Sequence, residues 1–223
     1  LSSALEPKLP TTFLSIHAVF DGHGGRGAVS ACVDSMRDAV TDAAAKLSVV
    51  NLDRDAHDAS TIAANVVHAL ESSLQRRPEF RVRPVLKRKG MGDDADVYED
   101  ECDDKSGSTV VLCALTPTRV AVAHLGDSRA VLLRNAWGAT TQPPTSVAVT
   151  MDHRPFPPRN TPLSAVFSVA DVEAACARER ERVARAGGRV EEESGYVSVG
   201  PNMKLAMTRT LGDFVGKRAG TKP

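Results

Sequence analysis

An α+β fold built on antiparallel strands is what this 223-residue chain predicts, and three observations carry the expectation. Helical periodicity is concentrated in two long early segments and one later one. Short β-forming runs joined by tight turns follow Ser108, and turns that short cannot carry a parallel crossover. Strands and helices do not alternate regularly, as a doubly wound parallel sheet would require. No linker divides the chain, so residues 1–223 read as one domain.

In chain order, residues 13–20 are apolar and rich in β-formers, a largely buried strand ending at Asp21. A helix fits residues 28–47, where Val29, Cys32, Val33, Met36, Ala39, Val40 and Leu47 recur at helical spacing. A second fits 59–76, with Ile62, Val66, Ala69, Leu70 and Leu74 on one stripe and Pro78 and Pro84 to stop it. Residues 76–104 run from a basic block to an acidic one and read as a solvated loop. The acidic half lacks the glycine and terminal glutamate of a calcium loop.

From Ser108, three runs (108–115, 119–125 and 129–133) are separated by a Thr116-Pro117 turn and a Gly126-Asp127-Ser128 turn, and read as an antiparallel meander. Residues 135–146 and 155–169 read as loops. A helix fits 171–186, closed by Gly187-Gly188 as a left-handed cap. Short strands are expected around 189–190 and 196–199.

Bulk composition excludes several functions. Lys plus Arg balance Asp plus Glu at 28 each, so no global field draws the chain to nucleic acid or to an anionic membrane. Cys32, Cys102, Cys113 and Cys176 show no C-x-x-C spacing, which argues against zinc and suits reduced thiols in an intracellular protein, cytoplasmic or nuclear. No apolar run approaches the roughly 20 residues that span a bilayer, and the N-terminus is no signal peptide.

The chemistry concentrates at V-F-D-G-H-G-G-R-G, residues 19–27. One reading takes its glycines as a dinucleotide-binding G-x-G-x-x-G turn, with Asp53 as the ribose ligand. Against it, Asp21 would face the pyrophosphate, His23 adds bulk to the turn, and the strands downstream form a meander. The other reading takes Asp21 as a metal-ligating carboxylate at a strand end, with the Gly22 carbonyl beside it. More acids must then converge. Asp127 is the best placed, and Asp152 and Asp213 also lie in turn-like contexts, although Asp127 and Asp213 can equally be turn or helix caps.

Six motifs then occur in order: V-F-D-G-H-G-G (19–25), G-S-T-V (107–110), H-L-G-D-S-R-A (124–130), D-H-R-P (152–155), E-R-E-R-V-A-R-A-G-G-R-V (179–190) and L-A-M-T-R-T-L-G-D (205–213). Together they resemble the metal-dependent type 2C protein serine/threonine phosphatases. The resemblance implies a four-layer αββα architecture, an antiparallel β-sandwich flanked by α-helices. It also implies a binuclear Mg2+ or Mn2+ site with a weaker third metal, and a phosphoprotein substrate attacked by a metal-activated water. By the same resemblance Asp21 and the Gly22 carbonyl are metal ligands, Asp127 helps hold the third metal, His23 is the general acid, and the protein is a monomer. Asp152 and Asp213 fall outside the family's ligand pattern, and the remaining motifs are architectural.

Two elements of the pattern have no counterpart: an N-terminal strand with a phosphate-binding arginine, and a C-terminal section with further aspartates. The domain is therefore expected to be incomplete, missing terminal strands, and to bind metal weakly on its own. A pseudophosphatase that binds or regulates is the alternative function. A dinucleotide-binding enzyme is the remote one.

Overall fold

The computed structural model describes residues 15–46, 56–87, 97–116, 119–134, 145–157, 167–198 and 204–217, and shows an α+β fold with antiparallel sheets. Strand β1 (Ser15–Val19) and the two-residue β2 (Gly22–His23) lead into helices α1 (Gly27–Ala45) and α2 (Ala56–Arg76). A single 3-10 turn at Pro78–Phe80 precedes β3 (Arg83–Lys87) and β4 (Val97–Glu101). Next come β5 (Gly107–Ser108), β6 (Val110–Leu115), β7 (Val120–Leu125), β8 (Val131–Arg134) and β9 (Thr145–Ala148). The last elements are α3 (Val169–Arg185), β10 (Arg189–Glu191), β11 (Tyr196–Ser198), β12 (Lys204–Leu205), β13 (Leu211–Gly212) and the one-turn α4 (Phe214–Lys217).

The two early helices form as their periodicity dictates. α1 buries small residues, Ala28, Ala31, Cys32, Ala39 and Ala43, which lets α2 approach closely. α2 buries Ala59, Ile62, Ala63, Val66, Val67, Leu70 and Leu74 and packs on β6 and β7. Ile62, Leu70 and Leu74 are fully buried, and each such side chain contributes about 1.5–3 kcal/mol. β6 is the central strand of the sheet β1-β6-β7, with Val19 opposite Val111 and Val110 opposite Leu125.

The last long helix carries a signal at each end, of which only the glycine cap was expected. Ser168 and Asp171 form a reciprocal capping box, the Asp171 N–H donating to Ser168 Oγ at 3.1 Å and the Ser168 N–H to Asp171 Oδ2 at 3.0 Å. At the other end Gly187 takes φ +80° and the Gly188 N–H returns to the Val183 carbonyl at 2.8 Å.

Two expectations are corrected. The charged 76–104 segment is not simply a loop: β3 and β4 pair antiparallel, Arg83 opposite Glu101 and Lys87 opposite Val97. The basic run and the acidic run neutralise each other across the pair, with Lys87 to Glu101 at 2.8 Å and Arg83 to Asp103 at 2.6 Å. The meander, in turn, stops after two strands. β6 and β7 form a hairpin, but β8 pairs with β9, so part of the expected 135–146 loop is strand. The turn after β7 is committed elsewhere: the Gly126 carbonyl accepts from His153 N–H at 2.9 Å, and the Ala130 N–H donates to Thr150 Oγ1. Most of the expected 155–169 loop, Leu47, and the Asp53 of the dinucleotide reading lie outside the described residues.

Candidate active site

The site is built on the smallest sheet, ordered β13-β5-β2. β5 is its middle strand: Gly107 lies opposite His23 on one side and Gly212 on the other, and Ser108 lies opposite Gly22 and Leu211. This register brings together two residues 190 positions apart. His23 Nε2 and Asp213 Oδ2 are 2.7 Å apart, the Asp213 side chain fully buried and the His23 ring 24 % exposed. Gly107 makes the pairing possible, because a Cβ there would occupy the space of the Asp213 carboxylate.

Burial opposes charge on the His23 ring, yet the hydrogen bond and charge of Asp213, helped by the charges of Asp21 and Asp127, raise its pKa above the ordinary histidine value. The imidazole is therefore biased toward its proton-carrying form while one edge still meets solvent.

Asp21 is exposed, and its backbone is what holds it. Its carbonyl accepts from the Thr109 N–H at 2.9 Å and from Ser108 Oγ at 3.2 Å. Its carboxylate has no hydrogen-bond partner among the described residues and is an available hard oxygen donor. Gly22 must be small, since a Cβ would come within 2.5 Å of Val29 Cγ2 on α1. The N-terminus of α1 is capped by the residue before β5: the Ala28 N–H donates to Ser106 Oγ at 2.9 Å. That amide is engaged by protein, and the surrounding sheets are antiparallel, which removes the dinucleotide reading of the glycine turn.

Asp127 follows β7 in a turn held by the ring and backbone of His153; the Gly126 N–H donates to His153 Nδ1 at 3.2 Å. Its Oδ2 accepts from Arg154 through Nε at 3.1 Å and through Nη2. Asp152 accepts a bidentate pair from Arg129, at 2.7 and 2.8 Å, and so has a partner of its own.

Of the sequence-predicted residues, Gly22 and His23 share β2, and the charges of Asp21 and Asp127 both act on the His23 imidazole. Among the described residues no group of three or more His, Cys, Asp or Glu side chains is placed to share one metal ion. A hard divalent cation takes about six oxygens. The exposed Asp21 carboxylate fits such a shell and Asp127 fits it once released by Arg154, but the described donors form only part of one. Thiol chemistry has no footing here, since burial pushes the Cys32 thiol up to about 12 and raises Cys102, Cys113 and Cys176 as well.

Sequence reasoning named Asp213 as a turn acid and set it aside as a ligand, but missed its place beside His23. Its L-G-D context reads as a turn or cap, and no local pattern shows that it will meet a histidine 190 positions away. The one available signal was the pair of glycines, Gly107 and Gly212, at which strands can approach closely.

The chain is similar to known proteins over most of its length. The family model described as Protein phosphatase 2C matches residues 11–159 and 169–222. "Probable protein phosphatase 2C 49" of Oryza sativa subsp. japonica is 31% identical over 198 residues, covering 87% of this chain and 39% of that protein. "Protein phosphatase 1B" of Rattus norvegicus is 28% identical over 205 residues, covering 90% of this chain and 39% of that protein. The chain thus spans about two fifths of the length of these relatives. The crystal structure of serine-threonine phosphatase 2C from Toxoplasma gondii superposes with a TM-score of 0.57 at 19% identity, covering 98% of this chain and 63% of that one, which shows a shared fold.

Proposed function

Because the chain belongs to the protein phosphatase 2C family, whose members are metal-dependent, we propose that the whole protein hydrolyses phosphoserine and phosphothreonine in protein substrates with His23 as general acid. The observation that supports this most directly is the His23 and Asp213 pair, on which the charges of Asp21 and Asp127 also act. Asp213 engages Nε2, so Nδ1 is the ring atom left to face substrate. As the bond from phosphorus to the serine or threonine oxygen breaks, the Nδ1 proton passes to that oxygen, which leaves as a neutral alcohol.

Asp21, the Gly22 carbonyl and Asp127 would hold Mg2+ or Mn2+ together with donors outside the described residues. When bound, the ions lower the pKa of a coordinated water and neutralise charge on the phosphoryl oxygens. The test is turnover of a phosphoserine peptide by the full-length protein with Mn2+. His23→Ala is expected to lower kcat by about 100-fold or more, and Asp21→Asn to abolish the Mn2+-dependent turnover. Wild-type turnover that survives both changes would exclude the assignment.

One observation favours a second reading, a pseudophosphatase that binds or regulates. Arg154 occupies the Asp127 oxygen that a metal would need. On that reading the full-length protein shows neither a calorimetric signal with Mn2+ nor turnover.

A further inference from the structure

We propose that Glu71 and Lys217, an ion pair inside the core, form a clamp that sets the backbone of Asp213 and, through it, the orientation of His23. The inference rests on the phosphatase reading of His23 and adds two positioning residues to it, neither of which touches the reacting atoms.

Glu71 lies on α2 between the fully buried Leu70 and Leu74 and is only 4% exposed. A carboxylate at such a place costs free energy unless each oxygen is satisfied. Both are. Oε2 accepts the Gly212 N–H at 3.1 Å, and Oε1 receives Lys217 Nζ. These partners bracket Asp213: Gly212 precedes it, and the Lys217 N–H donates to the Asp213 carbonyl at 3.0 Å. One side chain from α2 therefore grips the residue before Asp213 and, through Lys217, the end of the helical turn that follows it.

The turn needs such a grip. Gly212 takes φ +74° and Asp213 φ +50°, so a non-glycine residue is held in the left-handed region, at a cost of order 1–3 kcal/mol. Asp213 Oδ1 is buried with no hydrogen-bond partner among the described residues, so the carboxylate is oriented by His23 on one oxygen and otherwise by its own backbone. A shift of that backbone moves the acceptor of the His23 ring directly. Stability alone does not account for the pair, because apolar residues of similar volume generally replace buried ion pairs at little or no cost.

The experiment uses the full-length protein and three forms: wild type, Glu71→Gln, and the double variant Glu71→Leu with Lys217→Met. Each is assayed on a phosphoserine peptide, whose alkoxide leaving group needs a proton, and on p-nitrophenyl phosphate, whose leaving group does not. The double variant should melt within a few degrees of wild type. Its kcat on the peptide should fall about tenfold or more with KM unchanged, while p-nitrophenyl phosphate turnover changes less than about twofold. Glu71→Gln keeps an acceptor for Gly212 and should fall between the two. In parallel, the ring 15N resonances of His23 should shift in both variants, reporting a changed bond at Nε2.

Equal losses on both substrates, or no loss on the peptide, would overturn the clamp. So would a His23 spectrum identical to wild type in Glu71→Gln, a readout that stands even if the double variant does not fold. Should wild type turn over neither substrate, the phosphatase reading fails, and the His23 spectra still decide whether the clamp exists.

Discussion

The two carboxylate-bearing turns that act on His23 are held in different ways. The Asp213 turn belongs to the helix-backed core: its strand pairs with β5, its backbone is bonded to Glu71 on α2 and to Ser106, and its side chain is fully buried. The Asp127 turn belongs to a half-exposed network of arginines and carboxylates, linking Arg154, Asp152 and Arg129, and rests on the stacked rings of His124 and His153, whose centroids lie 4.4 Å apart. Behind it, Glu179 on α3 accepts from Arg182, Arg209 and Thr208, and the Thr208 N–H donates to the His153 carbonyl at 2.8 Å. One turn is fixed by packing, backbone bonds and a buried ion pair, which salt screens little. The other is fixed by partly exposed charges, which salt screens and acid neutralises.

The largest effect is expected from breaking the packed side. Gly107→Ala places a methyl group where the Asp213 carboxylate lies. Overpacking of this kind costs about 1–3 kcal/mol, and Asp213 must leave His23 to relieve it. The denaturant midpoint should drop by a corresponding amount and peptide phosphatase activity should vanish; an unchanged midpoint would show that the turn is looser than its burial implies.

Next comes the charged side. Glu179→Ala leaves Arg182 and Arg209 without their carboxylate. Both arginines are partly exposed, at 22% and 28%, so water recovers part of the loss and about 2 kcal/mol is expected rather than the larger cost of a fully buried pair. Burial alone would lift the Glu179 carboxyl, but bonds from Arg209, Thr208 and Arg182 outweigh it and hold its pKa at about 2. Its contribution is therefore complete above the unfolded value of 4.5 and is lost as pH falls from there toward 2. Acid unfolding followed by circular dichroism should be shallower over that window in Glu179→Ala than in wild type.

A finer distinction follows from the two titrations that point in opposite directions. Burial, with His124 and Arg209 beside it, depresses His153 to about 3, so the unfolded chain binds its proton first and stability on that side declines as pH drops below 6.5. Burial raises Glu71 above its ordinary value, so the folded chain binds that proton first and acidification stabilises the Asp213 side. Amide hydrogen exchange, corrected for intrinsic rates, should show the Gly126 N–H losing protection between pH 6.5 and 4.5 while the Gly212 N–H keeps its own. Parallel loss at both amides would merge the two regions into one cooperative unit.

Local order was what the sequence displayed. The stripes of α1 and α2, the glycine stop of α3, and the hairpin of β6 with β7 each lie within a few residues of their own signal. Pairings set by distant partners stayed hidden. The charged run gave no hint that its two halves would pair as β3 and β4, the Gly126 turn looked like a hairpin until His153 was seen to claim its backbone, and Asp213 looked like a cap. Asp21, Gly22 and His23 were legible as a corner because they are adjacent. That Glu71, at the centre of an apolar helix stripe, reaches Gly212 and Lys217 could not be read from any window of the chain.

The smallest expected change in stability is the sharpest test of the exposed side. Arg154 is 32% exposed and its bond to Asp127 is solvent-screened, so Arg154→Met should alter stability by less than about 1 kcal/mol. Its effect on cation binding is expected to be larger in proportion, because the substitution removes a positive charge and frees a carboxylate oxygen for a hard cation. In calorimetric titrations of the full-length protein with Mn2+, the variant should bind several-fold more tightly than wild type at low salt, with the difference shrinking as ionic strength rises. If wild type and variant bind alike, Arg154 is not what restrains Asp127, and the charged turn is as rigidly set as the buried one.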